Sequence, residues 1–141
     1  MINNSHQQLT RDEGTVLHAY QDHLGFWTLG TGRLIDKRKG GGITQEESVY
    51  LLNNDIEKRT AALKASLPWT GSLDAARFGV LLNMSFQMGV EGLLAFKNTL
   101  SMVRQGQYAQ AAIGMLNSKW AGQTPERALR LADQMKTGVW K

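Results

Sequence analysis

The chain has 141 residues, no cysteine and a net charge of +4. This length fits one domain of ordinary size, and the missing cysteines exclude a disulfide framework, a zinc–thiolate site and a thiol nucleophile. An apolar fraction of 42% with only two prolines excludes a disordered chain and favours a helix-rich globular protein.

The first part of the chain predicts a short helix followed by a β hairpin. Residues 5–13 have a helical pattern, and Gly14 lies just after the predicted end. Within residues 20–35, aromatic and β-branched residues are interrupted by glycines, which is typical of short strands joined by tight turns. The charged and glycine-rich residues 36–42 are predicted to form a loop.

A strong helix start follows this loop. Thr44 precedes Glu47 by three residues, so each side chain can satisfy the other residue's backbone N–H as a capping box. The helix is predicted to carry an apolar stripe over several turns. The residues of this stripe are Val49, Leu52, Ile56 and Leu63.

The remaining elements are all predicted helices. One begins after Ser72 or Asp74 and closes at Gly89, and short helices follow at about residues 93–95, 99–105 and 108–116. The last begins at Pro125 and ends before Gly138.

These elements predict an α+β chain with two lobes. The small β-hairpin lobe spans about residues 14–43, and the helical lobe spans about residues 44–141 and includes the N-terminal helix. We expect both lobes to form one domain, residues 1–141, with a cleft between them.

Carboxylates are the candidate catalytic groups. The three histidines, at positions 6, 18 and 23, lack the spacing of metal ligands, and no phosphate-binding loop is present, so we expect neither a metal nor another cofactor. Glu13 ends a predicted helix and Asp22 follows in a turn-forming stretch, so both can point into one cleft. Two carboxyl groups in different environments are what glycoside hydrolysis needs. The spacing alone also fits two solvated surface acids.

Four sequence blocks favour the catalytic interpretation of these two carboxylates over that of solvated surface acids. Glu13, Asp22 and Thr28 follow the pattern Glu, eight residues, Asp, five residues, Thr. Three more blocks lie at residues 83–89, 96–100 and 120–127. In content and order these blocks resemble the phage lysozymes of the T-even type, the muramidases of glycoside hydrolase family 24, over most of the chain.

The resemblance implies a lysozyme-like fold and hydrolysis of the β-1,4 bond between N-acetylmuramic acid and N-acetylglucosamine in bacterial peptidoglycan. Glu13 would donate a proton, and Asp22 with Thr28 would hold and activate the attacking water. Arg127 matches the family's arginine that pairs with the catalytic glutamate. The implied substrate-binding residues are Leu34, Phe86 and Thr99, with Gln87, Trp120 and Gln123 beside them.

Three departures from the family pattern affect these expectations. Arg33 stands where the family commonly has a histidine, and arginine does not titrate near neutral pH. Residues 36–42 form a shorter segment than in the T-even enzyme, which would trim one lip of the cleft. Gly114 replaces an asparagine and removes one hydrogen bond that the family offers to substrate.

The net positive charge comes from the C-terminal part of the chain. Residues 104–141 hold six basic and two acidic residues. The last helix could touch an anionic envelope through its basic residues, or it could be a surface helix whose apolar face packs on its neighbours. Its four basic residues are too sparse to predict a nucleic-acid binder.

We therefore expect an endolysin, a monomer whose partner is peptidoglycan. The first ten residues lack the features of a secretory signal, and no apolar run approaches the roughly 20 residues that span a bilayer. The expected location is the host cytoplasm until the wall is reached. Two alternatives share the fold: a lytic transglycosylase and a non-catalytic peptidoglycan-binding module of the phage particle.

Overall fold

A computed structural model describes residues 2–35 and 42–141, and its side chains from residue 4 onward. The chain forms two compact units, Met1–Leu52 and Asn53–Lys141. The sequence-based boundary near residue 43, with the N-terminal helix counted in the helical lobe, differs from this division at both points. The assignment of one catalytic domain stays a prediction, and the predicted loop lies, but for Gly42, outside the described residues.

The first unit begins with helix α1, Ile2–Glu13. Gly14 follows with φ +71°, and its N–H donates to the C=O of Thr10 at 2.9 Å. Glycine adopts this left-handed conformation without the cost that a Cβ would add. The predicted end of α1 is therefore confirmed, whereas its start lies three residues earlier than predicted.

Three short strands follow: β1 (Val16–Gln21), β2 (Trp27–Gly30) and β3 (Arg33–Leu34). They form an antiparallel sheet in the order β1-β2-β3, so β2 is central. Thr28 of β2 pairs with Tyr20 on one side and Leu34 on the other, and a bulge interrupts β1 before Tyr20. The predicted hairpin is confirmed, with a third strand added.

The capping box at the start of helix α2, Gln45–Ser66, is also confirmed. The N–H of Thr44 donates to Oε1 of Glu47 at 3.1 Å, and the N–H of Glu47 donates to Oγ1 of Thr44 at 3.2 Å. The second oxygen of Glu47 pairs with Nη2 of Arg33 at 2.6 Å, which ties β3 to the first turn of α2.

The apolar stripe predicted along α2 is buried only at Leu63. Val49 and Leu52 keep about half of their surface exposed. The stripe therefore predicted the helix correctly, but its residues in the first two turns are not buried.

The second unit is helical. A 3-10 turn at Pro68–Ser72 is followed by five helices: α3 (Ala75–Leu94), α4 (Lys97–Arg104), α5 (Tyr108–Leu116), α6 (Lys119–Gln123) and α7 (Pro125–Thr137). Helix α6 was not predicted; Ser118 begins it by accepting a hydrogen bond from the N–H of Ala121. Gly89, with φ 77° and ψ 165°, interrupts α3 without ending it.

Helices α3 to α7 and the end of α2 enclose one apolar core. Its fully buried side chains include Leu63, Val80, Leu81, Met84, Leu93, Met115 and Met135. Arg77 joins three helices at the edge of this core: it donates to the C=O groups of Met135 and Lys136 at the end of α7 and stacks 3.7 Å from the ring centroid of Tyr108. An arginine in this position satisfies carbonyl groups that the helix end leaves without partners.

The helices and the small antiparallel sheet confirm the predicted α+β, lysozyme-like fold class. Among the described residues no single helix is long and apolar enough to cross a membrane, and only the pair α3 and α4, bent by 102°, reaches that length and hydropathy together.

The bond between Glu47 and its partners predicts a pH-dependent stability. The backbone N–H of Thr44 first, and then its hydroxyl and the charge of Arg33, hold the pKa of Glu47 below its ordinary value of 4.5. A lowered folded-state pKa gives stability that is present above pH 4.5 and is lost as the pH falls through the folded-state value.

We expect Glu47→Gln to lower the melting temperature at pH 7, with the difference from wild type shrinking as the pH falls below about 4. Thermal unfolding followed by circular dichroism between pH 3 and 7 measures this. Glu46→Gln is the matched control, because it removes the same charge from the same helical turn. The bonds to Thr44 and Arg33 belong to Glu47 and are kept in this control. Equal melting curves for the two variants would contradict the assignment.

Candidate active site

Glu13 ends α1, and its exposed carboxyl group lies against Gly32 in the turn between β2 and β3. A Cβ added to Gly32 would lie 2.7 Å from Oε2 of Glu13. Gly32 also has φ +65°, which L side chains rarely adopt. The glycine therefore serves both the turn and the position of the carboxyl group.

Asp22 closes the turn that joins β1 to β2. Its Oδ1 accepts hydrogen bonds from the N–H groups of Leu24 and Phe26, each at 2.9 Å. Its own N–H donates to the C=O of Phe26, and its C=O accepts from the N–H of Gly25, whose φ is +83°. All of the side-chain bonds in this turn use Oδ1. The carboxyl group is thus held in one orientation, with Oδ2 outside the turn's hydrogen bonds.

Thr28 lies in the central strand and is 4% exposed. Its hydroxyl donates to the C=O of Phe26 at 3.1 Å, the same carbonyl group that accepts the N–H of Asp22. Because the hydroxyl proton is used in this bond, the lone pairs of Oγ1 remain as acceptors. The backbone N–H and C=O of Phe26 therefore set the positions of both side chains.

The three residues of the family motif are placed around one strand. Asp22 lies in the turn before β2, Thr28 lies within β2, and Glu13 contacts the turn that follows it. The first unit alone therefore contains all three predicted catalytic residues.

The sequence did not single out Phe26 or Gly32 as parts of this arrangement. Phe26 acts through its backbone N–H and C=O, which any residue carries, so no side-chain pattern could reveal it. Gly32 had a signal, since two glycines flanking one residue suggest a turn with positive φ, but its contact with Glu13 depends on how α1 meets the sheet.

Leu34 and Arg33 form the short strand β3. Leu34 is 39% exposed and pairs with Thr28 in the sheet. Arg33 is engaged by Glu47, so the residue that replaces the family's histidine serves as an ion-pair partner for α2.

Five of the predicted substrate-binding residues belong to the second unit. Gln87 and Trp120 are joined directly, because Nε1 of Trp120 donates to Oε1 of Gln87 at 2.9 Å. Trp120 is only 6% exposed and packs edge-to-face on Phe96, with ring centroids 6.3 Å apart. Most of the indole therefore belongs to the core. Beside it lies a groove of about 370 Å³, lined by Ala95, Phe96, Ser118, Lys119, Trp120 and Gln123.

Thr99 is buried to 7% exposure at the start of α4. A Cβ on Gly114 would lie 2.9 Å from Oγ1 of Thr99. Gly114 thus makes room for this hydroxyl group. Phe86 is half-buried in α3, beside Arg59 of α2.

Arg127 has a partner within its own unit. Its Nε and Nη2 donate to Oδ1 of Asn83 at 2.9 and 2.6 Å. The expected pairing of Arg127 with Glu13 would join residues of different units and stays a prediction, as does a single cleft lined by Leu34 and the residues of the second unit.

The last helix, α7, packs its apolar face on the core. Ala132 and Met135 are buried, whereas Leu129, which the sequence placed on the same face, is 60% exposed. At the end of the chain Lys141 pairs with Asp133 at 2.8 Å. Contact of this helix with an anionic envelope stays a prediction.

A metal site was not expected. Among residues 2–35 and 42–141, no three His, Asp or Glu side chains lie close enough to hold a metal ion.

Comparison with known proteins adds an independent line of evidence. The phage lysozyme family model matches residues 10–131. "Probable T4-type lysozyme 1" of Dictyostelium discoideum is 30% identical and aligns over 99% of this chain and 97% of its own length. "Pre-baseplate central spike protein Gp5" of Enterobacteria phage T4 is also 30% identical, over 94% of this chain and 27% of that protein.

An "Endolysin" of Acyrthosiphon pisum secondary endosymbiont phage 1 is 29% identical over 80% of this chain and 74% of that protein. The family model and the Dictyostelium relative each cover most of the sequence, including the three motif residues along β2. The chain therefore belongs to the phage lysozyme family.

Proposed function

We propose that the chain is an endolysin that hydrolyses the β-1,4 bond between N-acetylmuramic acid and N-acetylglucosamine in bacterial peptidoglycan. Glu13 is the general acid, and Asp22 and Thr28 position the attacking water. The observation that carries this proposal is the arrangement around β2. The backbone N–H and C=O of Phe26 hold Asp22 and Thr28, and Gly32 leaves room for the carboxyl group of Glu13.

The hydrogen-bonding capacity of the two water-binding side chains supports these roles. The hydroxyl of Thr28 donates its proton to the C=O of Phe26, so its oxygen can only accept further hydrogen bonds. Oδ2 of Asp22, a carboxylate oxygen, is also a hydrogen-bond acceptor. A water that donates one proton to each turns its lone pair toward the anomeric carbon. Asp22 takes a proton as the water attacks, while Glu13 protonates the leaving glycosidic oxygen.

Two alternatives use the same fold differently. A lytic transglycosylase needs an acid but no positioned water, so the two acceptors on Asp22 and Thr28 favour hydrolysis. A module of the phage particle has a relative with a structural name, the T4 spike protein, but a non-catalytic module needs none of the three motif residues.

The proposal includes the setting of the enzyme. The relative named endolysin, from a phage, supports a phage enzyme. We propose that this enzyme stays in the host cytoplasm until it reaches the wall. Every group in the mechanism belongs to a single copy of the chain, which suits a monomer without a cofactor. Lys141 pairs with Asp133, and the guanidinium of Arg127 donates to Asn83, so two of the four basic residues at this end are engaged within the chain. We propose no nucleic-acid partner.

Mass analysis of fragments released from purified peptidoglycan tests the reaction. We expect wild type to release fragments with reducing-end N-acetylmuramic acid and Glu13→Gln to lose about 10²- to 10⁴-fold in rate, because the amide cannot donate the catalytic proton. Circular dichroism checks that the variant is folded. Fragments with 1,6-anhydro ends would indicate a transglycosylase, and near wild-type release by Glu13→Gln would refute the assignment of the acid.

Asp22 has a structural and a catalytic role that two variants separate. Asp22→Asn keeps an oxygen that can cap the turn and loses the base, so we expect about 10²-fold less activity with little change in stability. Asp22→Ala should lose similar activity and about 1 kcal/mol of stability, because two backbone N–H groups lose their acceptor. Urea unfolding and peptidoglycan hydrolysis measure both effects. If Asp22→Asn kept activity within a few-fold of wild type, Asp22 would have a structural role in the turn and no role as the catalytic base.

Gly32 and Gly30 provide a matched pair for testing the position of Glu13. Both have φ near +65°, but a Cβ at Gly30 has nothing within 4 Å. Alanine at either position should cost about 1 kcal/mol of stability. Gly32→Ala should also reduce kcat by at least about tenfold, because the methyl group displaces the carboxyl group. Equal activity in the two variants would show that this contact does not position the acid.

A further inference from the structure

Arg59 of α2 is a half-buried cation held in a defined orientation. Its Nη1 donates to the C=O of Ser85 at 3.0 Å, and its Cζ lies 5.3 Å from the ring centroid of Phe86. The C=O of Ser85 lies four residues before the break of α3 at Gly89, where a helix leaves carbonyl groups without full partners. This local feature explains why the arginine reaches α3.

The bond to Ser85 uses one of the five N–H groups of the guanidinium. Three other arginines are occupied by acidic or amide side chains: Arg33 by Glu47, Arg77 by Asp74 and Arg127 by Asn83. Within residues 2–35 and 42–141, Arg59 forms no ion pair, although Asp55 lies one turn away on the same helix. A planar, oriented guanidinium with free N–H groups matches the two oxygens of a carboxylate.

We propose that Arg59 binds a carboxylate of the peptide stem of peptidoglycan and so selects acidic over amidated stems. This inference rests on the proposed function, because it takes Phe86 as part of the substrate-binding surface. The stem peptide is attached to the muramic acid residue and carries free carboxylates, so a cation beside a sugar-binding aromatic residue meets them. Arg59 contributes to substrate affinity and leaves the chemical step unchanged.

The test uses Arg59→Gln, whose amide can still donate to the C=O of Ser85 but carries no charge. On soluble glycan fragments bearing acidic stems, KM should rise about fivefold, the effect of one partly exposed ion pair, while kcat stays within twofold. On the same fragments with amidated stem carboxylates, wild type and variant should have equal KM values.

Lys64→Gln is the matched control. Lys64 lies on the same helix and its Nζ lies 5.5 Å from the ring centroid of Phe78, so the variant removes an equal charge and a similar contact with an aromatic ring. Its KM should match that of wild type. An equal rise in KM for both variants would show general charge attraction and overturn the proposal, as would an unchanged KM in Arg59→Gln.

The wild-type enzyme keeps the proposal falsifiable even if Arg59→Gln does not fold. The proposal requires a higher KM on amidated than on acidic stems, and equal KM values overturn it while the proposed hydrolase stands. Failure of wild type to cleave either substrate would instead refute the proposed function.

Discussion

The hydrogen bonds to the backbone of Phe26 are the constraint on which the candidate site depends. The N–H of Phe26 donates to the side chain of Asp22, and its C=O accepts from the N–H of Asp22 and the hydroxyl of Thr28. These bonds leave one carboxylate oxygen of Asp22 and the lone pairs of the Thr28 hydroxyl as acceptors in fixed positions. At the other end of the central strand, Gly32 leaves room for the carboxyl group of Glu13. The backbone of β2 and its two turns thus positions the candidate catalytic groups.

The second unit uses arginines where helices end or break. Arg77 closes the end of α7, and Arg59 reaches the carbonyl group of Ser85 before the break of α3. The same residue type therefore satisfies backbone groups that irregular helices leave open. In Arg59 this structural task takes only one donor, which is why the residue retains capacity for a ligand.

Local signals predicted most of the element boundaries. Gly14, the Thr44–Glu47 capping box and Gly138 each act within about one helical turn, so their effects depend on few other residues. The apolar stripe of α2 shows the limit of this reasoning, because burial requires a partner surface that periodicity does not specify. Leu129 of α7 is exposed for the same reason, although Ala128 and Ala132 of the same helix are buried.

The sequence by itself determined the fold class, the ends of several helices and the three motif residues that mark the phage lysozyme family. These properties are carried by residue types at short, fixed spacings. Only the tertiary structure decided how the motif residues are held. Glu13 lies against Gly32, whereas Asp22 and Thr28 bond to the backbone of Phe26. Those contacts join backbone groups and glycines, which have no distinguishing side chain, so they exist only once the strands have paired and α1 has packed on their turn.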